Sequence, residues 1–198
     1  YFMAADSGAE SLGELGKFPP TLDKVGWKLT GAWMHRVLHG EGGSVRPYLA
    51  VRMPNFGEAN TTQLPDQFMA ADKPENPPAI DTSGLAKHHR YEFGRKLMGI
   101  TGLGCVTCHG LKDRKSLGVP VINLTHTVER LNPTYFKALL LNPAQTQPGT
   151  LMPPMFMNRK KADQEIEQIW TYLKEVDQQP LPEGLLKTDD YELKPEKA

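Results

Sequence analysis

The chain has few cysteines, no long apolar run and no excess of charge, and each absence narrows the kinds of protein it can be. Only 2 of its 198 residues are cysteine, which excludes a disulfide-rich scaffold. No stretch of 18 apolar residues occurs, so we expect no transmembrane segment. The formal net charge is +0, so the composition gives no indication of nucleic-acid binding.

Strand-like alternation of apolar and polar residues is almost absent too, whereas several stretches place apolar residues at helical spacing. The 17 Pro and 18 Gly indicate long ordered loops between short helices. Helices are predicted over residues 31–38, 64–71, 87–98 and 133–141, and Asp163 is predicted to cap a last helix. The sequence therefore predicts an all-α fold.

Both cysteines lie in one short run, Cys105-Val106-Thr107-Cys108-His109. Two thiols at this spacing can bond the two vinyl groups on one edge of a porphyrin, and the histidine that follows can bind the iron. The run predicts one covalent haem c, attached through Cys105 and Cys108, with His109 as the proximal ligand. The second ring nitrogen of His109 needs a hydrogen-bond acceptor, and the Pro120 carbonyl is the predicted one.

Two other chemistries could use the same pair of thiols. A thioredoxin-like redox pair needs a βαβ setting, but the flanking segments have the character of helix and loop. A structural zinc ion needs two further ligands. The nearby candidates are scattered along the chain: His88, His89 and His126.

A haem that carries electrons needs a second axial ligand, and a methionine thioether favours the ferrous state. Met152 is predicted for this role because it lies 43 residues after His109, in the proline-rich run Pro148-Gly149-Thr150-Leu151-Met152-Pro153. Met155 and Met157 are alternatives in the same loop.

Residues 88–177 resemble a small class I cytochrome c domain. The resemblance implies that the first and last helices cross at a glycine and an aromatic residue, here Gly94 against Trp170 or Tyr172. It also implies a bacterial periplasmic or otherwise exported protein, often fused to or partnered with a dehydrogenase, so this chain is expected to be a subunit or fragment of a larger complex. The matching motifs are Gly94-x-x-Leu97, Cys105-x-x-Cys108-His109-Gly110, Gly118-Val119-Pro120, the Met152 loop and Trp170-x-Tyr172-Leu173.

The chain also contains an internal repeat. Trp33-Met34 and Arg52-Met53-Pro54 occur in the same order, at similar spacing, as Tyr135-Phe136 and Leu151-Met152-Pro153. The first series has no cysteine or histidine upstream of it. It therefore predicts a degenerate cytochrome c-like lobe that lacks an attachment motif.

From this repeat we predict a cytochrome c-like fold of two pseudo-repeated lobes joined by long Pro/Gly-rich loops. Met53 is expected to be a core residue of a refilled pocket, and its alternative role is ligand to a second haem. The predicted organisation is a first lobe at 1–72, a linker at 73–86, a haem-binding lobe at 87–177 and a polar tail at 178–198.

Positive charge is concentrated around the haem motif. Residues 80–162 contain 12 basic and 4 acidic side chains. This block predicts a docking rim for an acidic redox partner near Lys112, Arg114 and Lys115, and its alternative is ordinary surface charge. The indicated function is one-electron transfer between an oxidoreductase and an acceptor outside the cytoplasm. An electron carrier is favoured over an enzyme because no acid/base residue marks an open distal face. A haem peroxidase and a haem-based redox or gas sensor are the alternatives.

Overall fold

A computed structural model describes residues 21–40, 54–83, 90–118 and 121–186. Within these ranges the chain is helical, with three isolated β-bridges and no sheet. The prediction of an all-α fold is therefore confirmed. No helix in the described ranges is long and apolar enough to cross a bilayer.

The helices of the first part of the chain are short, and two of them pack closely together. They are α1 (Val25–Lys28), α2 (Gly31–Leu38), α3 (Glu58–Thr61) and α4 (Leu64–Ala71). α2 and α4 have the predicted bounds. α1 meets α4 at Gly26, where a Cβ would overlap the backbone of Phe68, so the contact requires glycine. The Gly26 N–H also donates to the Asp72 carboxylate at 2.8 Å.

The second part of the chain contains the longest helix described. Its elements are α5 (Arg90–Met98), a 3₁₀ turn (Cys105–Thr107), α6 (Thr127–Arg130), α7 (Pro133–Leu141), α8 (Pro143–Thr146) and α9 (Ala162–Lys174). The predicted bounds of α7 are confirmed. The capping role predicted for Asp163 is wrong: α9 begins one residue earlier, and Asp163 lies in its first turn, 2.8 Å from the Lys137 ammonium.

The core is organised by the crossing of α5 and α9. A Cβ at Gly94 would overlap the Gln168 carbonyl and lie 2.7 Å from the Tyr172 Cβ, so only glycine allows the two backbones to come this close. The Trp170 ring packs on Phe136 of α7, with centroids 4.9 Å apart. Four apolar side chains of α9, and Val176 just beyond its end, are buried in this core; those of α9 are Ile166, Ile169, Trp170 and Leu173.

The predicted linker is held against this core where the structure describes it, at residues 73–83. The buried Lys137 ammonium donates to the Ala79 carbonyl at 2.7 Å. The Asp81 N–H donates to the Glu167 carboxylate of α9 at 3.3 Å. Ile80, between these two anchors, packs on the apolar core.

Residues 177–186, which we call the strap, lie across the loop that bears the two cysteines. The Tyr172 hydroxyl donates to the Pro180 carbonyl at 2.8 Å, and the Ile100 N–H donates to Glu183 at 3.1 Å. Lys115 and Leu186 exchange two backbone hydrogen bonds, each 3.1 Å long. The described part of the predicted polar tail is therefore fastened to both flanks of the cysteine loop.

Candidate functional site

The two cysteines and the histidine lie on one tight turn. The Cys105 carbonyl accepts hydrogen bonds from the backbone N–H groups of Cys108 at 3.2 Å and of His109 at 2.9 Å. Gly104 precedes the turn with a φ of 69°, a left-handed conformation that favours glycine. Neither thiol forms a disulfide. The turn thus places both cysteines and the histidine on one short segment of backbone.

The tautomer of His109 is fixed by one hydrogen bond. Its Nδ1 atom lies 2.8 Å from the carbonyl oxygen of Ile122. A carbonyl can only accept, so Nδ1 carries the proton of the neutral ring and Nε2 keeps the lone pair that a metal requires. Pro120, the predicted acceptor, lies outside the described residues, and the structure gives this role to Ile122.

The surroundings of His109 also favour the neutral ring. Burial lowers the pKa of His109, the hydrogen bond to Ile122 opposes this in part, and the positive charge of Arg130 lowers the pKa further. Arg130 is itself buried, with 6% of its surface exposed. A neutral imidazole with Nδ1 protonated is the form that ligates iron.

The position of Ile122 is set by the loop that follows the motif. Backbone N–H groups of this loop donate to carbonyls of the cysteine segment at 2.8–3.2 Å. Because these bonds occur on both sides of Ile122, its carbonyl is held at a fixed place relative to the imidazole. The pairs are Leu117 to Val106, Gly118 to Thr107, Val121 to Cys108 and Leu124 to Gly110.

The two thiols differ in environment. Cys105 is half-buried against the apolar core and Cys108 is exposed. Burial raises the pKa of Cys105 to about 11, so this thiol is protonated at neutral pH. A redox-active dithiol normally depends on a stabilised thiolate, which this environment disfavours.

The zinc alternative gains no support from the residues that the structure describes. Among them no group of three or more His, Cys, Asp or Glu side chains is arranged to hold a metal ion. His126 instead faces Trp33, with ring centroids 6.0 Å apart. His88 and His89 lie outside the described residues.

The methionines predicted as axial ligands have different environments. Met152 and Met155 are half-buried and pack against the same apolar cluster as Cys105. Met157 is 53% exposed, whereas Met98 is fully buried within that cluster. Met152 and Met155 are therefore the half-buried thioethers of the loop, and Met53 lies outside the described residues.

The apolar cluster provides the environment that a porphyrin requires. Besides Cys105, it includes half-buried Leu124 and Val128 and buried Tyr135, Phe136 and Leu140. With a soft thioether, a fixed imidazole tautomer and two thiols on one turn, these residues fit haem c by their chemistry. A cavity of about 400 Å³ lies elsewhere, at the end of α5 beside Glu183, and contains none of the predicted ligands.

The three residues of the predicted docking rim are not equivalent. The Lys112 ammonium donates to the carbonyls of Asp177 and Gln179 at 3.0 and 3.3 Å, so it holds the strap. Arg114 lies 3.5 Å from the neighbouring Asp113 carboxylate, with 27% of its side chain exposed. Lys115 is exposed.

Comparison of the chain with family models, with curated proteins and with solved structures gave no match.

Sequence reasoning missed two residues of this site, Ile122 and Arg130. Ile122 contributes only its backbone carbonyl, which every residue possesses, so its side chain gave no signal. Arg130 lies between Glu129 and Leu131, a local pattern that does not distinguish a buried cation from a surface one. Its influence on the pKa of His109 depends on where α6 lies in the fold, which the sequence does not show.

Proposed function

We propose that the chain is a c-type cytochrome with one haem. In this proposal Cys105 and Cys108 attach the group as thioethers, and His109 and Met152 bind its iron. The observation that carries the proposal is the 2.8 Å hydrogen bond from Nδ1 of His109 to Ile122, directly after two thiols that form no disulfide. Haem supplies a one-electron couple when bound.

The packing of the helices supports a cytochrome c-like fold. The resemblance drawn from the sequence required a close crossing of the first and last helices of the lobe at Gly94, with Trp170 or Tyr172 opposite. α5 and α9 cross there, and Tyr172 is the aromatic residue that faces Gly94. Gly94 and Tyr172 are 78 positions apart in the sequence, so their contact depends on the tertiary fold and not on amino-acid composition.

The surrounding side chains have distinct roles in this proposal. The half-buried Cys105 thiol faces the apolar cluster, so its thioether would lie on the inner edge of the group, and that of exposed Cys108 on the outer edge. The apolar cluster excludes water and favours the state of lower charge.

The proposed physiological role is one-electron transfer in the periplasm or another exported location. The donor or acceptor is a redox protein, such as a dehydrogenase, with an acidic docking surface. Because Lys112 is engaged with the strap, docking is assigned to exposed Lys115 and partly exposed Arg114. The same charges would guide the encounter rather than set its final affinity.

The spin state of the oxidised protein tests this role. A carrier with His109 and Met152 as ligands is expected to show a low-spin spectrum that exogenous ligands such as cyanide alter slowly. An open distal position, as in a peroxidase or gas sensor, gives a high-spin spectrum and fast ligand binding. The second result, obtained on the native protein, would contradict electron transfer as the function.

A further inference from the structure

Two stretches of the chain share one backbone design. The first elbow, residues 25–38, consists of α1, two extended residues and α2. The second elbow, residues 127–140, consists of α6, two extended residues and most of α7. Each residue of the second elbow stands 102 positions after its counterpart in the first.

The dihedral angles of the two joints agree closely. Leu29 has φ −101° and ψ 149°, and its counterpart Leu131 has φ −97° and ψ 141°. Thr30 has φ −71° and ψ 148°, and its counterpart Asn132 has φ −64° and ψ 131°. The two elbows thus repeat in their angles as well as in the lengths of their helices.

The two elbows also bind each other, and they do so reciprocally. The Thr30 N–H donates to the Arg130 carbonyl at 2.9 Å, and the Asn132 N–H donates to the Lys28 carbonyl at 3.0 Å. Thr30 and Asn132 are counterparts, and so are Lys28 and Arg130. Exchanging the elbows therefore converts one hydrogen bond into the other, with an antiparallel bridge between Leu29 and Leu131 at the centre.

Aromatic contacts surround this centre, but the exchange does not relate them, because the counterpart of Trp27 is Glu129 and not His126. Trp33 and Tyr135 are counterparts, and both are almost completely buried, at 3% and 2% exposed. Each packs on an aromatic ring that lies in the opposite elbow or directly before it. Trp33 faces His126 with centroids 6.0 Å apart, and Tyr135 meets Trp27 edge-on at 5.2 Å.

Side-chain hydrogen bonds and an ion pair around this centre also join the first elbow to the second part of the chain, but they are not repeated by the exchange. Lys28 donates to Gln147 at 2.7 Å, and Arg36 pairs with Glu129 at 3.2 Å. The Trp27 indole N–H donates to the Thr134 hydroxyl at 2.9 Å. The backbone hydrogen bonds at the centre thus obey the exchange of elbows, whereas the aromatic and polar contacts around them do not.

We infer that the two elbows form a pseudo-two-fold interface, in which the first elbow is the built-in partner of the lobe that carries the candidate site. The surface of the second lobe around Leu131 is consequently covered by the same chain, and an external redox partner docks on another face. The inference stands independently of whether haem is bound.

A disulfide at the axis provides the first test. Leu29 and Leu131 form the non-hydrogen-bonded pair of an antiparallel bridge, where Cα atoms lie about 4.5 Å apart. That separation suits a disulfide. In the full-length double variant Leu29→Cys/Leu131→Cys, peptide mass spectrometry is expected to find a linkage between positions 29 and 131 after air oxidation. Two thiols that both remain open to alkylation in the folded protein would overturn the inference.

A matched pair of substitutions controls for chance oxidation. Arg36 and Ala138 are also counterparts, but they lie about 9 Å further along their helices at 1.5 Å per residue. The variant Arg36→Cys/Ala138→Cys is expected to remain unlinked under the same conditions. Equal linkage of both pairs would show that the elbows are mobile against each other, which also contradicts a fixed interface.

Proline substitutions test the symmetry itself. The φ values of Thr30 and Asn132 suit proline, and the residues before them are extended, so Thr30→Pro and Asn132→Pro remove one interface N–H each without backbone strain. Thr30→Ala and Asn132→Ala control for the lost side chains. Relative to its alanine control, each proline is expected to lower the folding equilibrium constant about fivefold, the effect of one net hydrogen bond. A clear effect at one position and none at the other would contradict the two-fold relationship.

Discussion

The Nδ1 atom of His109 lies 2.8 Å from the carbonyl oxygen of Ile122, and this one distance fixes the chemical state of the ring. With Nδ1 protonated, Nε2 is the only ring atom that can bind a metal in the neutral form. The pair therefore connects a backbone carbonyl in a loop to the ligand atom of the proposed haem. His109→Ala is expected to remove the proximal ligand of the proposed haem and so to abolish the normal coordination of its iron.

The axial role of Met152 predicts a specific ranking of methionine variants. Met152→Ala should lower the reduction potential and convert the oxidised haem to high spin, because a thioether stabilises ferrous iron. Exposed Met157 provides the matched control, and Met157→Ala should change neither property. Absorption spectroscopy and potentiometry would check both. If Met155→Ala gives the high-spin spectrum instead, Met155 is the ligand and the assignment to Met152 is wrong.

The contact between α5 and α9 predicts that Gly94 cannot carry a side chain. Gly94→Ala forces a methyl group into the Gln168 carbonyl, and overpacking of this kind costs about 1–3 kcal/mol. Gly99→Ala is the control, because a Cβ there meets its neighbours at 3.4 Å, an ordinary contact. Urea unfolding would measure both. Similar free energies of unfolding for the two variants would contradict the observed crossing.

The two hydrogen bonds from Lys112 to the strap predict a structural role for this lysine. Lys112→Met keeps the aliphatic stem but removes both donors, and we expect a loss of about 1–2 kcal/mol in the free energy of unfolding. Lys115→Met removes an equal charge from an exposed position, where substitutions usually change stability by less than about 0.5 kcal/mol. Denaturant unfolding would measure the free energy of unfolding of both variants. An equal loss in the two would show that the bonds from Lys112 to the strap do not stabilise the fold.

Docking near Arg114 and Lys115 predicts a charge-dependent encounter with the redox partner. Lys115→Glu should slow reduction by the natural donor, and added salt should slow the wild-type protein, since charges are screened over about 8–10 Å at ordinary ionic strength. Stopped-flow kinetics at several salt concentrations would test this. Lys174→Glu, an exposed lysine at the end of α9 and outside the basic block, serves as the control. Reduction that is independent of salt would assign the basic block to ordinary surface.

The sequence predicted the longer helices well and the shortest ones not at all. α2, α4 and α7 contain eight or nine residues, enough for apolar positions to recur at helical spacing, and their bounds match the prediction. α1, α3, α6 and α8 are single turns of four residues, too short for any periodicity to show. Such turns are stabilised by the tertiary contacts around them, as α1 is by its contact with α4 at Gly26.

The candidate site was predictable where the chemistry lies in side chains at a fixed spacing. Cys105, Cys108 and His109 belong to one turn, so the sequence alone brings them together. Ile122 acts through its backbone, and the engagement of Lys112 with the strap depends on where a segment 65 residues away returns to the loop. Contacts of this kind arise from the tertiary fold and leave no local pattern in the sequence.

The most direct test of the account is the mass of the native protein, combined with alkylation of its thiols and the spectrum of its reduced pyridine complex. We expect the mass of the chain plus one haem, no thiol open to alkylation, and the haemochrome spectrum of a porphyrin held by two thioethers. The variant Cys105→Ala/Cys108→Ala should lose the covalent group. A native chain of unmodified mass, with both thiols alkylated after export in a host that attaches haem c, would contradict the central claim.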